Sequence, residues 1–315
     1  VGLGCSQLNL DKRPNEVISL QAAASVGQVY LMSLYEQELS KYDYHVGQIL
    51  LTRSDLESRI SYKNAALTFK RLFDWGVVPV VNENDTISDE ELKYGDNDTL
   101  AALVATAIKA DKLILLTDVD KLYSSDPRKY SNAKPIEEVH NQEELSSIKR
   151  LSSNKSNWGT GGIITKLDAA KIATCSGIMV QLADGRNTQN LYDLLNGSKC
   201  GTIFHPNPKP ITNKKSWLAY AIKPIGIIKI DEGACEAILK RGASVLLVGV
   251  IEIHGEFSTN QPIKIINPEQ KEVARGLCSF GSEKIRELQH IRLNSDKSPV
   301  IIHRDVLVLT SNLFD

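Results

Sequence analysis

Apolar residues fall into two textures along this chain. Up to about residue 212, stretches of helical period alternate with short apolar runs. Asn15 to Ser40 reads as a helix, with Gly27 as an interruption. Val46–Leu51 reads as a strand. Tyr62, Ala65, Ala66, Phe69, Leu72 and Phe73 recur at helical spacing, and Gly76 supplies a stop. The β-branched run Val77-Val78-Pro79-Val80-Val81, bounded by turn formers, predicts a buried parallel strand. Leu100, Leu103, Val104 and Ile108 predict an amphipathic helix, and Leu113–Thr117 another short strand. Val139 to Trp158 is rich in Ser, Asn and Lys and predicts a mobile loop. A helix ending near Gly177 and a strand over Ile178–Leu182 follow. This alternation calls for a parallel sheet covered on both faces.

The second texture starts after Pro206, Pro208 and Pro210. From Trp217 onward short β-rich runs surround one short helix, Glu232 to Lys240. Val248–Ile253, Pro262–Ile266 and Pro299–His303 are the candidate strands, and the segment reads as a small β-barrel-like domain.

Chemistry gathers at the ends of the predicted strands. Asn82-Glu83-Asn84-Asp85 follows the run of valines, and Gly95-Asp96-Asn97-Asp98 opens the next helix. In open α/β sheets the ligand crevice lies beyond the carboxyl ends of strands. Carboxylates and carboxamides there can recognise an amine or a metal-bound phosphate. Either cluster alone reads first as a turn or a helix cap; two on one connection favour a site. Thr117-Asp118 ends the next strand, where it could bond a nucleotide or merely turn the chain.

Gly159-Thr160-Gly161-Gly162 leads into Ile163-Ile164-Thr165-Lys166. Glycine amides and a helix amino terminus suit an anion, and Lys166, about one turn in, could reach a transferring phosphoryl group. The spacing is not that of a Walker A loop. A flexible linker that caps a helix is the plainer alternative.

The six histidines are dispersed outside these segments and show no triad or zinc spacing, so no residue is assigned to a metal. Phosphorylating a carboxylate needs no general base, because that nucleophile is already ionised at neutral pH.

The formal net charge of −1 argues against a protein built mainly to bind nucleic acid. Cys5, Cys175, Cys200, Cys235 and Cys278 are odd in number and scattered, which suits a reduced, cytoplasmic protein. No apolar run reads as long enough to span a bilayer, and no signal peptide is visible. The chain opens on Val1-Gly2-Leu3-Gly4, a weak Gly-x-Gly with no strand before it.

The segments VVPVVNENDT, KYGDNDTLAA, LILLTDVDKLY and GTGGIITKLDAA, in this order, closely resemble the glutamate 5-kinase family of the amino-acid-kinase superfamily. The tail GIIKIDEGACEAILKRGAS, with VARGL and IIHRD, resembles a PUA domain. The resemblance covers nearly the whole chain. It implies an α/β fold, an αβα sandwich on a mainly parallel open sheet over residues 1–212, with a β-barrel-like PUA domain over 213–315. It also implies ATP- and Mg2+-dependent transfer to the γ-carboxylate of L-glutamate, the first step of proline biosynthesis.

On the matching motifs, Asp85 and Asn97 fall at glutamate-binding positions, with Asn82, Asp96 and Asp98 in the same substrate loop. Thr117, Asp118, Thr160, Gly161, Gly162, Ile163, Ile164, Thr165 and Lys166 match the nucleotide site. Lys166 matches the lysine that stabilises the transferring phosphoryl group, and Asp98 joins it in the expected catalytic set. Proline as feedback inhibitor, a γ-glutamyl phosphate reductase as associate and a homo-oligomer are further implications.

Family members begin with a Lys-x-Gly-Ser/Thr phosphate loop and a second strand ending in a Ser-Gly-rich turn. By analogy roughly fifty residues of that kind precede the position matched by Val1. The expectation is an active kinase in the intact protein and an inactive chain when started at Val1. Two other readings exist. An RNA-binding PUA protein with a degenerate kinase domain finds no basic excess, since Trp217–Asp315 carries twelve Lys/Arg and twelve Asp/Glu. Another amino-acid kinase, for aspartate or acetylglutamate, sits poorly with the GDND cluster and the PUA-like tail.

Overall fold

The structure is a computed structural model and describes residues 1–88, 96–125, 127, 130–154, 162–291 and 298–310. By compactness the chain divides into two units. The first comprises Val1–Thr174 with Ile178–Pro206, and the second Cys175–Gly177 with Asn207–Asp315.

The first unit opens with α1 (Gly2–Gln7) and α2 (Val17–Leu39). The Gly-x-Gly at the start is thus helical. Gly4 and Gly27 let the two helices touch backbone to backbone: a Cβ on Gly4 would sit 1.7 Å from the Ala23 carbonyl oxygen. That contact explains why Gly27 does not interrupt α2. By length and composition α2 could cross a membrane, with mean hydropathy 1.4 in its most apolar stretch. This corrects the reading that no such run exists; Ser19, Gln21, Ser25 and Gln28 break up the apolar string.

β1 (Val46–Leu51), α3 (Arg53–Glu57), α4 (Arg59–Asp74) and β2 (Val78–Glu83) follow. Gly76 adopts φ +70°, the left-handed turn that lets the chain reverse out of α4. β1 and β2 pair in parallel, with Val46 opposite Val78 and Glu83 opposite Leu51. β2 is parallel as expected but only half-buried along its whole length. It has one strand neighbour among the described residues, and α4 and α5 (Asp96–Ile108) pack against it. α5 buries Leu100, Leu103 and Val104.

β3 (Lys112–Thr117) belongs to a second sheet, together with β6 (Glu138–Val139), β7 (Met179–Asp184) and β8 (Thr202–Phe204). Its order is β3-β7-β8-β6. β3 runs parallel to β7, β8 runs antiparallel to β7, and β6 runs parallel to β8. The sheet is therefore mixed. β4 (Leu122–Tyr123) and β5 (Pro135–Ile136) form a short antiparallel pair.

The segment expected as a mobile loop is helical over α6 (Gln142–Asn154). Its start is capped: the Glu144 amide donates to the Asn141 side chain at 2.9 Å, and the Glu144 carboxylate accepts from the His140 amide at 2.8 Å. Leu145 anchors it at 2% exposure. The Ser- and Asn-rich composition hid this apolar anchor. Residues 155–158 of that expectation lie outside the described residues. α7 (Gly162–Cys175) buries Leu167, Ala169, Ala170 and Ala173 completely, and α8 (Thr188–Leu195) packs against β7.

The second unit holds α9 (Asn213–Ser216), β9 (Gly226–Ile230), α10 (Glu232–Arg241), β10 (Val245–Leu246) and β11 (Val250–His254). β12 (Pro262–Ile266), β13 (Glu272–Leu277), α11 (Ser282–Ile291), β14 (Val300–Ile302) and β15 (Leu307–Leu309) complete it. One sheet has the order β11-β9-β12-β13-β15, and β10 pairs with β14. The core is a single cluster around Ile228, Ile230, Ile238, Ile263, Ile265 and Ile285, all at 0% exposure. The expectation of one helix here is corrected: α11 also packs in, through Ile285, under a strongly polar outer face.

Candidate active site

Two polar links meet on neighbouring residues of α5. In the first, the Asn82 side chain at the end of β2 donates to Gln28 on α2 at 3.0 Å. Its carbonyl oxygen accepts from the Glu83 amide at 3.0 Å and from the Asn97 side chain at 3.3 Å. One carboxamide thereby ties α2, β2 and α5 together. In the second, the Asp98 carboxylate accepts from the Thr165 hydroxyl at 2.7 Å and from the Lys166 ammonium at 3.0 and 3.3 Å. Lys166 and Asp98 are largely enclosed, with side chains 16% and 18% exposed.

Asn97 and Asp98 lie inside the first turn of α5 and do not cap it from outside. A carboxylate there complements the positive end of the helix dipole. Lys166 lies one turn into α7, at the end where the dipole disfavours a cation. Asp98 offsets that cost, so the ammonium is held in place before any ligand arrives. Lys166 at this helix start thus needs no bound anion to hold it, because this chain supplies an anion of its own.

Asp85 sits in the turn after β2, half-buried, and burial pushes its carboxyl above the usual range against the opposing pull of positive charge such as Arg13. No hydrogen bond or ion pair joins it to Asn82 or Asn97 among the described residues. Asp96 begins α5, but its side chain lies outside the described residues, as do Thr160 and Gly161. Gly162, Ile163 and Ile164 form the first turn of α7, whose amides precede Lys166.

Thr117 and Asp118 lie at the carboxyl end of β3, where the Thr117 hydroxyl donates to Asp118 at 3.3 Å. No hydrogen bond or ion pair links them to Asp98 or Lys166 among the described residues. Sequence reasoning missed their neighbours. Thr117 stands opposite Asp184 across the β3–β7 pair, and its carbonyl accepts from the Gly185 amide at 2.8 Å. Arg186 grips Asp184 through two nitrogens at 2.7 and 2.9 Å and holds that carboxyl down to about 2. Arg186 also feels Asp118 and Asp120. The cue was Ala183-Asp184-Gly185-Arg186, a polar strand end like the others.

A mixed α/β unit with polar clusters at strand ends and a lysine at a helix start, followed by a small β-rich unit, defines a class. The model of the amino acid kinase family matches residues 3–184, and that of the PUA domain matches residues 226–297. The chain is an amino-acid kinase that carries a PUA domain.

Curated relatives narrow this. Glutamate 5-kinase of Prochlorococcus marinus (strain NATL2A) is 60% identical over 311 residues, which is 99% of this chain and 86% of that protein. Its counterpart in strain MIT 9313 is 57% identical over 309 residues, 98% of this chain and 86% of that protein. That of Synechococcus sp. (strain CC9605) is 52% identical over 311 residues, 99% of this chain and 87% of that protein. The chain belongs to the glutamate 5-kinase family. The expectation of an inactive chain finds no support in these matches.

Proposed function

We propose that this chain transfers the γ-phosphoryl group of ATP to the γ-carboxylate of L-glutamate, forming γ-glutamyl phosphate at the first step of proline biosynthesis. The observation that carries this reading is the enclosed Asp98–Lys166 pair between α5 and α7, in a chain 60% identical to a protein named glutamate 5-kinase. The glutamate carboxylate is its own nucleophile and needs no base. The chain's task is to position it and to stabilise charge on the transferring group.

In this reading Asn82, Asp85, Asp96 and Asn97 hold glutamate. Thr117, Asp118 and the segment Thr160, Gly161, Gly162, Ile163, Ile164, Thr165 and Lys166 hold the nucleotide. Lys166 presents its ammonium to the phosphoryl oxygens, and Asp98 positions it. Mg2+ bound with the nucleotide would neutralise phosphate charge; Asp118, at the carboxyl end of β3, offers a hard carboxylate oxygen of the kind it takes. Catalytic residues 1–212 and a PUA domain of residues 213–315 are the corresponding domain limits. Proline shares glutamate's α-amino acid group without its γ-carboxylate, which supports feedback inhibition at the same pocket. A cytoplasmic homo-oligomer without membrane attachment that delivers its labile acyl phosphate to a γ-glutamyl phosphate reductase completes the reading.

The test is acyl-phosphate formation, trapped as hydroxamate, with ATP, Mg2+ and glutamate, aspartate or acetylglutamate. Preference for glutamate is expected. Preference for either competitor overturns the assignment.

A further inference from the structure

Three metal-ligating side chains meet at the far edge of the four-stranded sheet. β6 and β8 run in parallel register, with Glu138 opposite Ile203 and Val139 opposite Phe204. The His205 amide donates to the Val139 carbonyl at 2.9 Å, which continues the ladder and sets His205 beside His140. The two imidazoles stack, with centroids 4.8 Å and planes 14° apart. Glu138 Oε2 lies 2.8 Å from His205 Nε2 and 3.9 Å from His140 Nε2. The other carboxylate oxygen, Oε1, accepts from Lys199 at 3.0 Å. All three ligand atoms fall within 4.8 Å of one another.

The strand directions keep this cluster away from the proposed nucleotide residues. β8 runs antiparallel to β7, and β7 parallel to β3. Thr117, Asp118 and Asp184 therefore end their strands at one end of the sheet, whereas His140 and His205 follow theirs at the opposite end.

We propose that Glu138, His140 and His205 bind one divalent ion of the zinc class, at a site separate from the kinase machinery. Two imidazole nitrogens and one carboxylate oxygen form the borderline donor set that zinc takes in three-ligand sites, with water in the remaining position. Mg2+ prefers oxygen throughout. The two ring planes are only 14° from parallel, so the imidazoles must turn toward one another for both nitrogens to reach the roughly 2.0–2.1 Å that zinc takes. The proton that His205 shares with Glu138 then resides on Nδ1, and the ion takes its place at Nε2.

The sequence hid the site because His140 and His205 lie far apart in the chain; only the β6–β8 pairing joins them. An ion there would staple that pairing to the start of α6, where the His140 amide already donates to Glu144.

The test titrates the chelator-stripped chain with ZnCl2 by calorimetry without nucleotide, with MgCl2 in parallel. One zinc per chain is expected. His140→Ala and His205→Ala should each weaken binding by at least about tenfold. Co2+ should give a visible ligand-field spectrum that His205→Ala loses. Should an alanine variant fail to fold, His140→Asn and Glu138→Gln keep the side-chain size and carry the same expectation. Absence of saturable zinc binding overturns the proposal. So does zinc binding that the variants retain, which would assign it to the partly exposed thiols of Cys5, Cys200 or Cys235.

Discussion

β9 and β2 are both short β-branched strands with a parallel neighbour, yet they are buried very differently. β9 alternates fully buried Ile228 and Ile230 with outward residues, flanked by β11 and β12. β2 is half-buried throughout and has one strand neighbour among the described residues. An apolar cleft of about 350 Å3 lies along α5 between Val81 and Leu113. Nearby, α2 leaves Ile18 and Val29 at 70% and 74% exposure. A β-branched run thus announces a strand, while its depth of burial depends on what flanks it. Where the first unit forgoes apolar burial it holds its elements by polar links, Gln28–Asn82–Asn97 and Asp98–Thr165–Lys166. Stability in the second unit should therefore follow buried volume. Function in the first should follow individual polar contacts.

The largest effect should come from the closed core. Ile265→Ala removes buried methylenes from a cluster with 0% exposure and should cost about 2–5 kcal/mol. Calorimetric unfolding of the second unit should shift down while the glutamate KM stays near its original value. A matching change in KM would couple the two units and break the contrast.

Lys166→Ala should lower turnover by about two to three orders of magnitude, the usual effect of losing a preorganised contact to developing charge. It also strands the Asp98 carboxylate, so a stability loss of about 1–3 kcal/mol is expected. Removing Asp98 as well should recover part of that stability and none of the activity. Lys166→Arg should not rescue, since a planar fork replaces a compact charge. Turnover above about a tenth of the original would leave Lys166 as a counter-ion for Asp98 alone.

Asp98→Asn sharpens the point with a smaller effect. The amide oxygen can still accept from Thr165 and Lys166, but the charge and the second acceptor that hold the ammonium are gone. Misplacing Lys166 should cost about ten- to a hundredfold in kcat with a nearly unchanged KM for glutamate. A large rise in KM with kcat preserved would instead make Asp98 a partner of the substrate ammonium.

How much of this was legible follows the same division. β1, α4, α7 and α10 stand close to where hydrophobic period and turn residues put them, because local pattern and local structure agree there. α6 was not legible: among its described side chains the buried Leu145, with an Asn141–Glu144 cap, sits within a polar string. The membership of Asp98 and Lys166 in polar motifs was visible, but their mutual contact was not. It joins helices distant in the chain, and only packing reveals it. Asp184 and Arg186 were passed over for a similar reason, since their meaning comes from standing opposite Thr117.

The smallest expected effect concerns pH and the second unit alone. Cys278 is fully buried in that core, and burial pushes its thiol from 9.0 up to about 11, against hydrogen bonds from the Phe280 and Ser279 amides. A raised folded-state pKa means that the folded form keeps its proton where the unfolded chain has lost it. The contribution is therefore fully present below about 9 and disappears as pH climbs to about 11. Cys278→Ala removes this group with little change of volume. Both proteins should weaken in alkali, since Tyr62 in the first unit and other groups also titrate there. The difference in unfolding free energy between wild type and Cys278→Ala should stay level at neutral pH and narrow across that window. Iodoacetamide at pH 8 should correspondingly spare Cys278 while the second unit is folded, because the thiolate is the nucleophile. A constant difference across the window, with ready alkylation of Cys278 in the native protein, would mean that the core around Ile228 and Ile265 admits water, and the contrast between the two units would fail.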